Sequence, residues 1–350
     1  MESVFFLGAC TPQGFVSHYD SLFSELQELT ILKGGCGCGK STFLRAVGRA
    51  ARERGLDVCE ILCSSDPDSL DAIILPSLSV GFADGTAPHV LEPPLCGGRV
   101  NYLNFGEYYD RAAMQTEEAE IRAVQAENAA QYRLVTACLA AADKLSDCVR
   151  LNTGTPRCDT QTDALAECLA MATLTRREGT PFLRRRFLNA ITPKGLKTCA
   201  QTPAALCEKL YVLRDNYGLA PHLLSVLQQR ATENGHDCVA CYSPLLPHAQ
   251  PTHLLLPTAG IGFVSDSTDF PFDEPYFCRF DLDSMLSSGT RRSLAFCQKT
   301  KTALLYQAVS YLREAKRLHD CMETLCRPYV DFEKVSRRTA RVIAALFVEK

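Results

Sequence analysis

The chain has 350 residues, a formal net charge of -3, 46% hydrophobic residues and 22% charged residues. This composition is typical of a globular chain long enough for two domains, and it excludes general nucleic-acid or anionic-membrane binding as an expectation. The apolar run at residues 4–7 is too short for a signal peptide, and no stretch has the length of a membrane span. We therefore expect a cytoplasmic protein.

The 18 cysteines are scattered, and several lie inside apolar runs. In a reducing compartment such cysteines behave as small core residues. Cys238 and Cys241 form a lone C-x-x-C pair. One pair cannot complete a tetrahedral metal site, so we expect these two to be structural.

The first part of the chain alternates short apolar runs with helical spacing, as α/β domains do. Strands are predicted at residues 4–9, 30–33, 58–63, 72–75 and 79–83, and helices at 17–29 and 43–52.

The strand at 30–33 and the helix at 43–52 flank a match to G-x-x-x-x-G-K-[ST], the Walker A phosphate loop. Its residues are Gly34, Gly35, Cys36, Gly37, Cys38, Gly39, Lys40, Ser41 and Thr42. The glycines allow main-chain N–H groups to surround phosphate oxygens at a helix N-terminus. Lys40 is predicted to bind the β- and γ-phosphates of ATP, and Ser41 to ligate Mg²⁺. A chance glycine-rich turn is the alternative, which the flanking strand and helix disfavour. Proximity to Lys40 and to loop N–H groups also predicts lowered thiol pKa values for Cys36 and Cys38.

Residues 64–71 form an acidic loop after a strand end, the edge where ligands of open α/β sheets bind. Asp66 or Asp68 would position the attacking water or a phosphate acceptor. The alternative is a helix N-cap, because Asp-Pro suits a helix start.

The run from Val80 ends in Asp84, which is the form of a Walker B strand whose aspartate orders Mg²⁺. His89 follows in a loop that resembles a switch. It would either sense phosphate or, as a lone loop histidine more often does, have a structural or solvated role.

Residues 112–150 are rich in glutamate and alanine and predict two helices. Residues 152–163 predict a loop, and helical spacing returns at 164–175. We divide the chain into a P-loop domain with a helical tail (1–150), a linker and helix (151–185) and a second domain with a helical tail (186–350).

The second domain repeats the first with a period of about 180 residues, which indicates a duplicated domain. Residues 187–195 match 6–14, residues 210–214 match 29–33, residues 260–268 match 79–86, and residues 317–321 match 144–148. The second copy has lost its phosphate loop, because residues 215–222 lack the lysine and serine. Two unrelated α/β domains are the alternative, which the conserved order of the matches disfavours.

The degenerate copy would either complete the first site with an arginine finger or only bury apolar surface. Candidate fingers are Arg184, Arg185, Arg186 and Arg214. The run 184–186 would also suit a phosphate-binding lid, or a solvated face.

Several of these motifs, together with residues 327–335, resemble a family of bacterial, mainly clostridial and bacillar, predicted P-loop ATPases. The resemblance covers nearly the whole chain and implies two tandem P-loop domains. Members of that family often keep a phosphate loop in both halves, and this chain departs from that pattern in the second.

We therefore expect an α/β fold of two tandem P-loop NTPase-type domains with mainly parallel sheets and helical appendages. The expected function is Mg²⁺-dependent ATP hydrolysis at one site in the N-terminal half. ATP is preferred over GTP because the chain has no N-K-x-D guanine-reading motif. A small-molecule or nucleotide kinase and a non-catalytic nucleotide-dependent scaffold are the alternatives. The protein partner stays unknown.

Overall fold

In a computed structural model that describes residues 2–93 and 98–347, the short apolar runs form buried strands. The strands are β1 (Glu2–Phe5), β2 (Gly8–Thr11), β3 (Gly14–Ser17), β4 (Glu28–Lys33), β5 (Val58–Leu62), β6 (Leu70–Leu75), β7 (Val80–Asp84), β8 (Val100–Asn104), β9 (Leu183–Arg186), β10 (Asn189–Thr192), β11 (Gly195–Thr198), β12 (Lys209–Arg214), β13 (Cys238–Ser243), β14 (Leu246–Leu256), β15 (Ile261–Asp266) and β16 (Cys278–Asp281). The helices are α1 (Leu22–Glu25), α2 (Lys40–Arg52), α3 (Arg111–Met114), α4 (Glu118–Thr153), α5 (Pro156–Thr173), α6 (Gln201–Leu206), α7 (Ala220–Glu233), α8 (Ser288–Cys326) and α9 (Phe332–Leu346). We call residues 2–173 the first half and residues 183–347 the second half.

Each half contains a mixed six-stranded sheet, and the two sheets have the same strand order. The first runs β1-β5-β6-β7-β4-β8 and the second runs β9-β13-β14-β15-β12-β16. Among the described strands of these two sheets, only β6 and β14 are antiparallel to their neighbours. The α/β class with mainly parallel sheets is thus confirmed, and the position-by-position match is what duplication of one unit would produce.

The halves meet at a symmetric bridge between Phe6 and Phe187, which hold the same place in the two halves. Each N–H donates to the carbonyl oxygen of the other at 2.9 Å, and both rings are fully buried. This pairing interrupts the strand predicted at residues 4–9, so β1 ends at Phe5 and β2 begins at Gly8. The bridge therefore lies on an approximate two-fold axis.

The basic run 184–186 lies in β9 and is not a lid. Arg186 is buried against Glu25 of the first half, and one of its N–H groups donates to Glu25 Oε1 at 2.8 Å. Burial alone would raise the pKa of Glu25, but the Arg186 guanidinium outweighs it and the pKa is lowered. The solvated-face alternative fails for Arg186 and holds for Arg185, which is exposed.

Three helix predictions need refinement or correction. The two helices predicted within residues 112–150 are present but very unequal: α3 is a single turn, and α4 has 36 residues because no glycine or proline interrupts the sequence before Gly154. The predicted loop at 152–163 is mostly helical, since α5 begins at Pro156 with the Thr155 hydroxyl accepting from Cys158 N. The helix predicted at 17–29 shrinks to the one-turn α1, because residues 28–33 belong to β4.

Helices α4 and α8 pack side by side in opposite directions, and Asn128 of α4 donates to the Ala315 carbonyl of α8 at 2.6 Å. Their apolar seam consists of Val135, Leu139, Ala142, Leu305, Ala308, Val309 and Leu312. At the end of α4, the Thr153 hydroxyl donates to the Tyr217 carbonyl of the second half. The last turn of α8 packs on Gly37 of the first half, so each long helix ends over a loop of the other half.

Among the described residues, no helix is both long enough and apolar enough to cross a membrane.

Candidate functional site

The turn between β4 and α2, residues 34–39, is here called the glycine loop. Gly34, Gly37 and Gly39 have φ values of 145°, 70° and 94°, which disfavour any residue with a Cβ. A Cβ on Gly34 would also lie 2.8 Å from Cys38 Sγ. The glycines at these positions are therefore required by the backbone path itself.

Lys40, the first residue of α2, points its ammonium group back into the glycine loop. Its Nζ donates to the carbonyls of Gly34 at 2.7 Å and Gly35 at 2.9 Å. It also lies 3.6 Å from Asp84 Oδ2, because β4 and β7 are neighbours and Leu32 pairs with Asp84. The side chains of Lys40 and Asp84 are 12% and 14% exposed, so the pair is largely shielded from water.

Asp84 is held in place by Thr86, whose N–H and hydroxyl donate to Oδ1 at 2.8 and 2.6 Å. Burial raises the pKa of Asp84, and Lys40 and Thr86 oppose that shift. The Ser41 hydroxyl accepts from Leu70 N at 3.0 Å, at the start of β6, while Thr42 is exposed. The fold thus pairs Lys40 with Asp84 and holds Ser41, next to Lys40, against β6.

The acidic loop is the hairpin between β5 and the antiparallel β6, and it does not start a helix. The Asp66 carboxylate accepts from the Ser69 hydroxyl at 3.0 Å and lies 3.5 Å from Lys316 Nζ on α8. Asp68 is exposed and pairs with Lys194 of the second half. Asp66 is therefore tied to a helix that crosses the glycine loop, whereas Asp68 takes part in a surface pair between the halves.

The predicted activation of the loop thiols is wrong. Burial raises the pKa of both Cys36 and Cys38, and this outweighs the opposing effect of Lys40. The carbonyl of Cys36 accepts from the Tyr109 hydroxyl at 2.6 Å, a contact that the sequence motif did not indicate. Cys238 and Cys241 are buried on β13, three residues apart, and so point to opposite faces of the sheet.

The end of α8 and the start of α9 cover the glycine loop. A Cβ on Gly37 would meet Arg327 Cγ at 2.9 Å and the Glu323 carbonyl at 3.4 Å, and one on Gly39 would meet Val335 at 3.4 Å. Sequence reasoning missed these contacts, although the repeat of residues 144–148 at 317–321 was a signal that the tails belong to the framework. Arg214, one of the four candidate fingers, lies 3.7 Å from Asp283 of its own half.

A basic cleft lies beside the covered glycine loop, between α9 and the turn after β8. Its volume is about 480 Å³, and its lining residues are Glu107, Tyr108, Lys334, Arg337, Arg338 and Arg341. Gly106, next to this lining, is 3.1 Å from the position of a Cβ on Gly34. Four cations thus face a cleft adjacent to the loop.

Behind Asp84, His89 is buried and its Nε2 lies 3.1 Å from Asp71 Oδ2. Burial alone would lower the pKa of His89, but the Asp71 carboxylate outweighs it and the pKa is raised. The ring therefore anchors the segment after β7 to β6, as the structural alternative for His89 predicted.

The counterpart loop of the second half, residues 215–219, contains its own anion. The Asp215 carboxylate accepts from the N–H groups of Tyr217, Gly218, Leu219 and Ala220 at 2.8–3.1 Å. Strand pairing aligns Asp215 with Gly34, and Ser265 with Asp84. The Asp215 carboxylate thus occupies a nest of main-chain N–H groups, and the first half has Gly34 at the equivalent position.

Comparison with known proteins gives no match to any family model, curated protein or solved structure. The resemblance to P-loop ATPases stays a prediction, and the function has to be inferred from the site itself.

Proposed function

We propose that the chain binds Mg²⁺-ATP at the glycine loop of the first half and hydrolyses it there. The observation that carries this proposal is the shielded pair of Lys40 and Asp84, 3.6 Å apart, at the mouth of a three-glycine nest. A buried lysine next to main-chain N–H groups binds phosphate, and an adjacent carboxylate orders the metal that accompanies it.

The residues fit this ligand. Asp215 supports the use of the nest by an anion, because the equivalent loop surrounds a carboxylate with four N–H donors. In the first half, Lys40 would exchange the Gly34 and Gly35 carbonyls for phosphate oxygens. The basic cleft of α9 lies next to the loop, so its lysine and arginine side chains would attract the remaining negative charge of a nucleotide.

Each side chain has a separate role in this proposal. Bound Mg²⁺ would neutralise phosphate charge, with Ser41 and Asp84 holding the ion and its waters. Lys40 binds and orients the phosphates. Asp66, fixed by Ser69 and Lys316, is the candidate for orienting water.

The test is nucleotide binding and phosphate release by the wild type, Lys40→Ala and Asp84→Asn. Loss of the charge-assisted contact in Lys40→Ala should cost about 2–4 kcal/mol, or about 30- to 700-fold in affinity. Ser265→Ala changes the position equivalent to Asp84 in the second half and should leave binding unchanged. Melting curves show whether each variant is folded.

The products separate the function classes. Phosphate released without an acceptor supports the hydrolase, product formed only with an acceptor indicates the kinase, and bound but unchanged nucleotide indicates the scaffold. Stoichiometric ATP binding retained in Lys40→Ala would refute the proposed site.

A further inference from the structure

Three side chains of the types that bind transition metals meet where α8 crosses the glycine loop. Cys36 belongs to the loop, and His319 and Glu323 lie one turn apart on α8 of the second half. Their ligand atoms all lie within 4.8 Å of one another. Because the two helical residues are at positions i and i+4, both point toward the loop from one face of the helix.

The distances match those between ligands that share one ion. Cys36 Sγ lies 3.5 Å from His319 Nε2, and this same nitrogen lies 3.6 Å from Glu323 Oε1. With Zn–S near 2.3 Å and Zn–N or Zn–O near 2.0–2.2 Å, tetrahedral ligand atoms are about 3.4–3.6 Å apart. The separation of His319 Nε2 and Glu323 Oε1 is too long for a good hydrogen bond, which spans about 2.7–3.2 Å.

The surroundings allow such an ion to enter. The His319 and Glu323 side chains are 45% and 38% exposed, so solvent reaches the site and a fourth position is open to water. A thiolate and a carboxylate together neutralise a divalent charge. Lys40, Lys316 and Arg327 are nearby cations that oppose it.

The second half offers a built-in comparison. Residues at the equivalent positions are Tyr217 for Cys36, Ser146 for His319 and Arg150 for Glu323. None of these three is a usual zinc ligand. The geometry is nevertheless equivalent, because the end of α4 lies over residues 215–219 as the end of α8 lies over the glycine loop. The three ligands therefore occur only at the loop that is followed by Lys40, and packing of a helix end over a loop does not by itself produce them.

We propose that Cys36, His319 and Glu323 form a site for a zinc ion, or another thiophilic divalent cation, that links the glycine loop to α8. The ion would join two segments about 280 residues apart in sequence. This site does not depend on the proposed nucleotide function.

The test uses the full chain after chelator treatment and dialysis, titrated with Co²⁺ and then with Zn²⁺ against a chromophoric chelator. We expect one equivalent of Co²⁺ to give a thiolate charge-transfer band and tetrahedral d–d absorption, and Zn²⁺ to displace it. Cys36→Ser and His319→Ala should each lower Zn²⁺ affinity at least tenfold, and Cys36→Ser should abolish the charge-transfer band.

Cys321→Ser is the matched control, because Cys321 lies on the same helix two residues from His319 but outside the ligand set. It should bind Zn²⁺ as the wild type does. Zn²⁺ should also raise the Tm of the wild type and of Cys321→Ser, but not that of Cys36→Ser, because only an intact site binds the ion in the folded state. Absence of the charge-transfer band, or equal Zn²⁺ affinity in wild type, Cys36→Ser and His319→Ala, would overturn the proposal.

Discussion

The glycine loop and its counterpart in the second half occupy equivalent places in the two six-stranded sheets but make different contacts. In the second half the Asp215 carboxylate accepts from four of them. In the first half the equivalent residue is Gly34, and a lysine that is Ala220 in the other copy points into the loop. The second loop thus has an anion built into the chain, and we propose that the first loop takes one from a ligand.

The helices that follow differ in the same sense. Helix α9 places Lys334, Arg337, Arg338 and Arg341 on a cleft next to the glycine loop. Its counterpart α5 packs on α7, where Asp163 and Glu167 pair with His222 and Arg230. The first half thus has cations beside its glycine loop, whereas Asp163 and Glu167 of α5 form ion pairs with α7.

The largest effect on stability should come from the buried ion pair at the interface, which has no equivalent at the symmetry-related position. Arg186 and Glu25 form a buried ion pair, whereas the equivalent positions have Phe5 and Leu206. Glu25→Ala leaves a buried guanidinium unpaired and should lower the free energy of unfolding by about 3–5 kcal/mol. Denaturant titration measures it.

The symmetric double variant Glu25→Leu with Arg186→Phe is the control for this prediction. Because a buried pair can often be replaced by apolar residues without loss, its stability should be close to that of the wild type. A double variant as unstable as Glu25→Ala would show that the pair itself, and not the uncompensated charge, dominates.

Asp215→Ala should have the next largest effect, because it leaves four N–H groups of the counterpart loop without their acceptor. We expect a loss of about 2–4 kcal/mol in the free energy of unfolding, less than the sum of four separate bonds since water replaces some of them. Asp215→Asn keeps one oxygen acceptor and should lose less. Equal stability of wild type and Asp215→Ala by thermal and denaturant unfolding would contradict the assignment of a filled nest.

Acid should weaken the buried ion pair of Glu25 and Arg186 gradually. The pKa of Glu25 is lower in the folded state than its ordinary value, so its contribution is fully present above the unfolded pKa of about 4.3 and is lost as pH falls through the folded pKa. The stability difference between wild type and the symmetric double variant should therefore shift against the wild type below about pH 4.3. If the difference in unfolding free energy between the two proteins stayed constant from about pH 3 to pH 7, the prediction would be refuted.

The smallest effects concern catalysis across the halves. Arg327, whose Cγ lies against Gly37, is the second-half arginine that contacts the glycine loop, and Arg214 pairs with Asp283 instead. Arg327→Ala should lower kcat at least tenfold, about 1.4 kcal/mol of barrier, and Arg214→Ala should leave it unchanged. If both variants were folded and only Arg214→Ala lost kcat, the finger would be Arg214 and not Arg327.

Local sequence predicted the parts of this structure that depend on local chemistry. The strand before Lys40, the helix after it and the strand ending in Asp84 were all anticipated, because each is defined by apolar spacing and by glycines with a required backbone conformation. The repeat also predicted the shared strand order. The two motifs predicted that Lys40, Ser41 and Asp84 would share one site, but the direct contact between Lys40 and Asp84 is seen only in the fold.

What the sequence could not predict depends on partners distant in the chain. The sequence showed only that residues 215–222 lack the lysine and serine, and the folded loop shows that the Asp215 carboxylate accepts from its N–H groups. Cys36 looked activated by Lys40, but α8 buries it and reverses the direction of the pKa shift. Thr and Pro at 152–163 indicated a loop because capping residues and turn residues are the same residue types.

The crossing of α4 and α8 has a consequence for the order in which the chain folds. The cover of the glycine loop comes from residues 319–335, so it is synthesised only after the whole of the second sheet. The counterpart loop receives its cover from α4, which already exists when that loop emerges. Contacts between residues so far apart in sequence form late, because closing a long loop costs entropy before the contact stabilises it. The half with the candidate site is therefore the half that is completed last, and a chain that stops short of α8 would have a finished counterpart loop and an unfinished glycine loop.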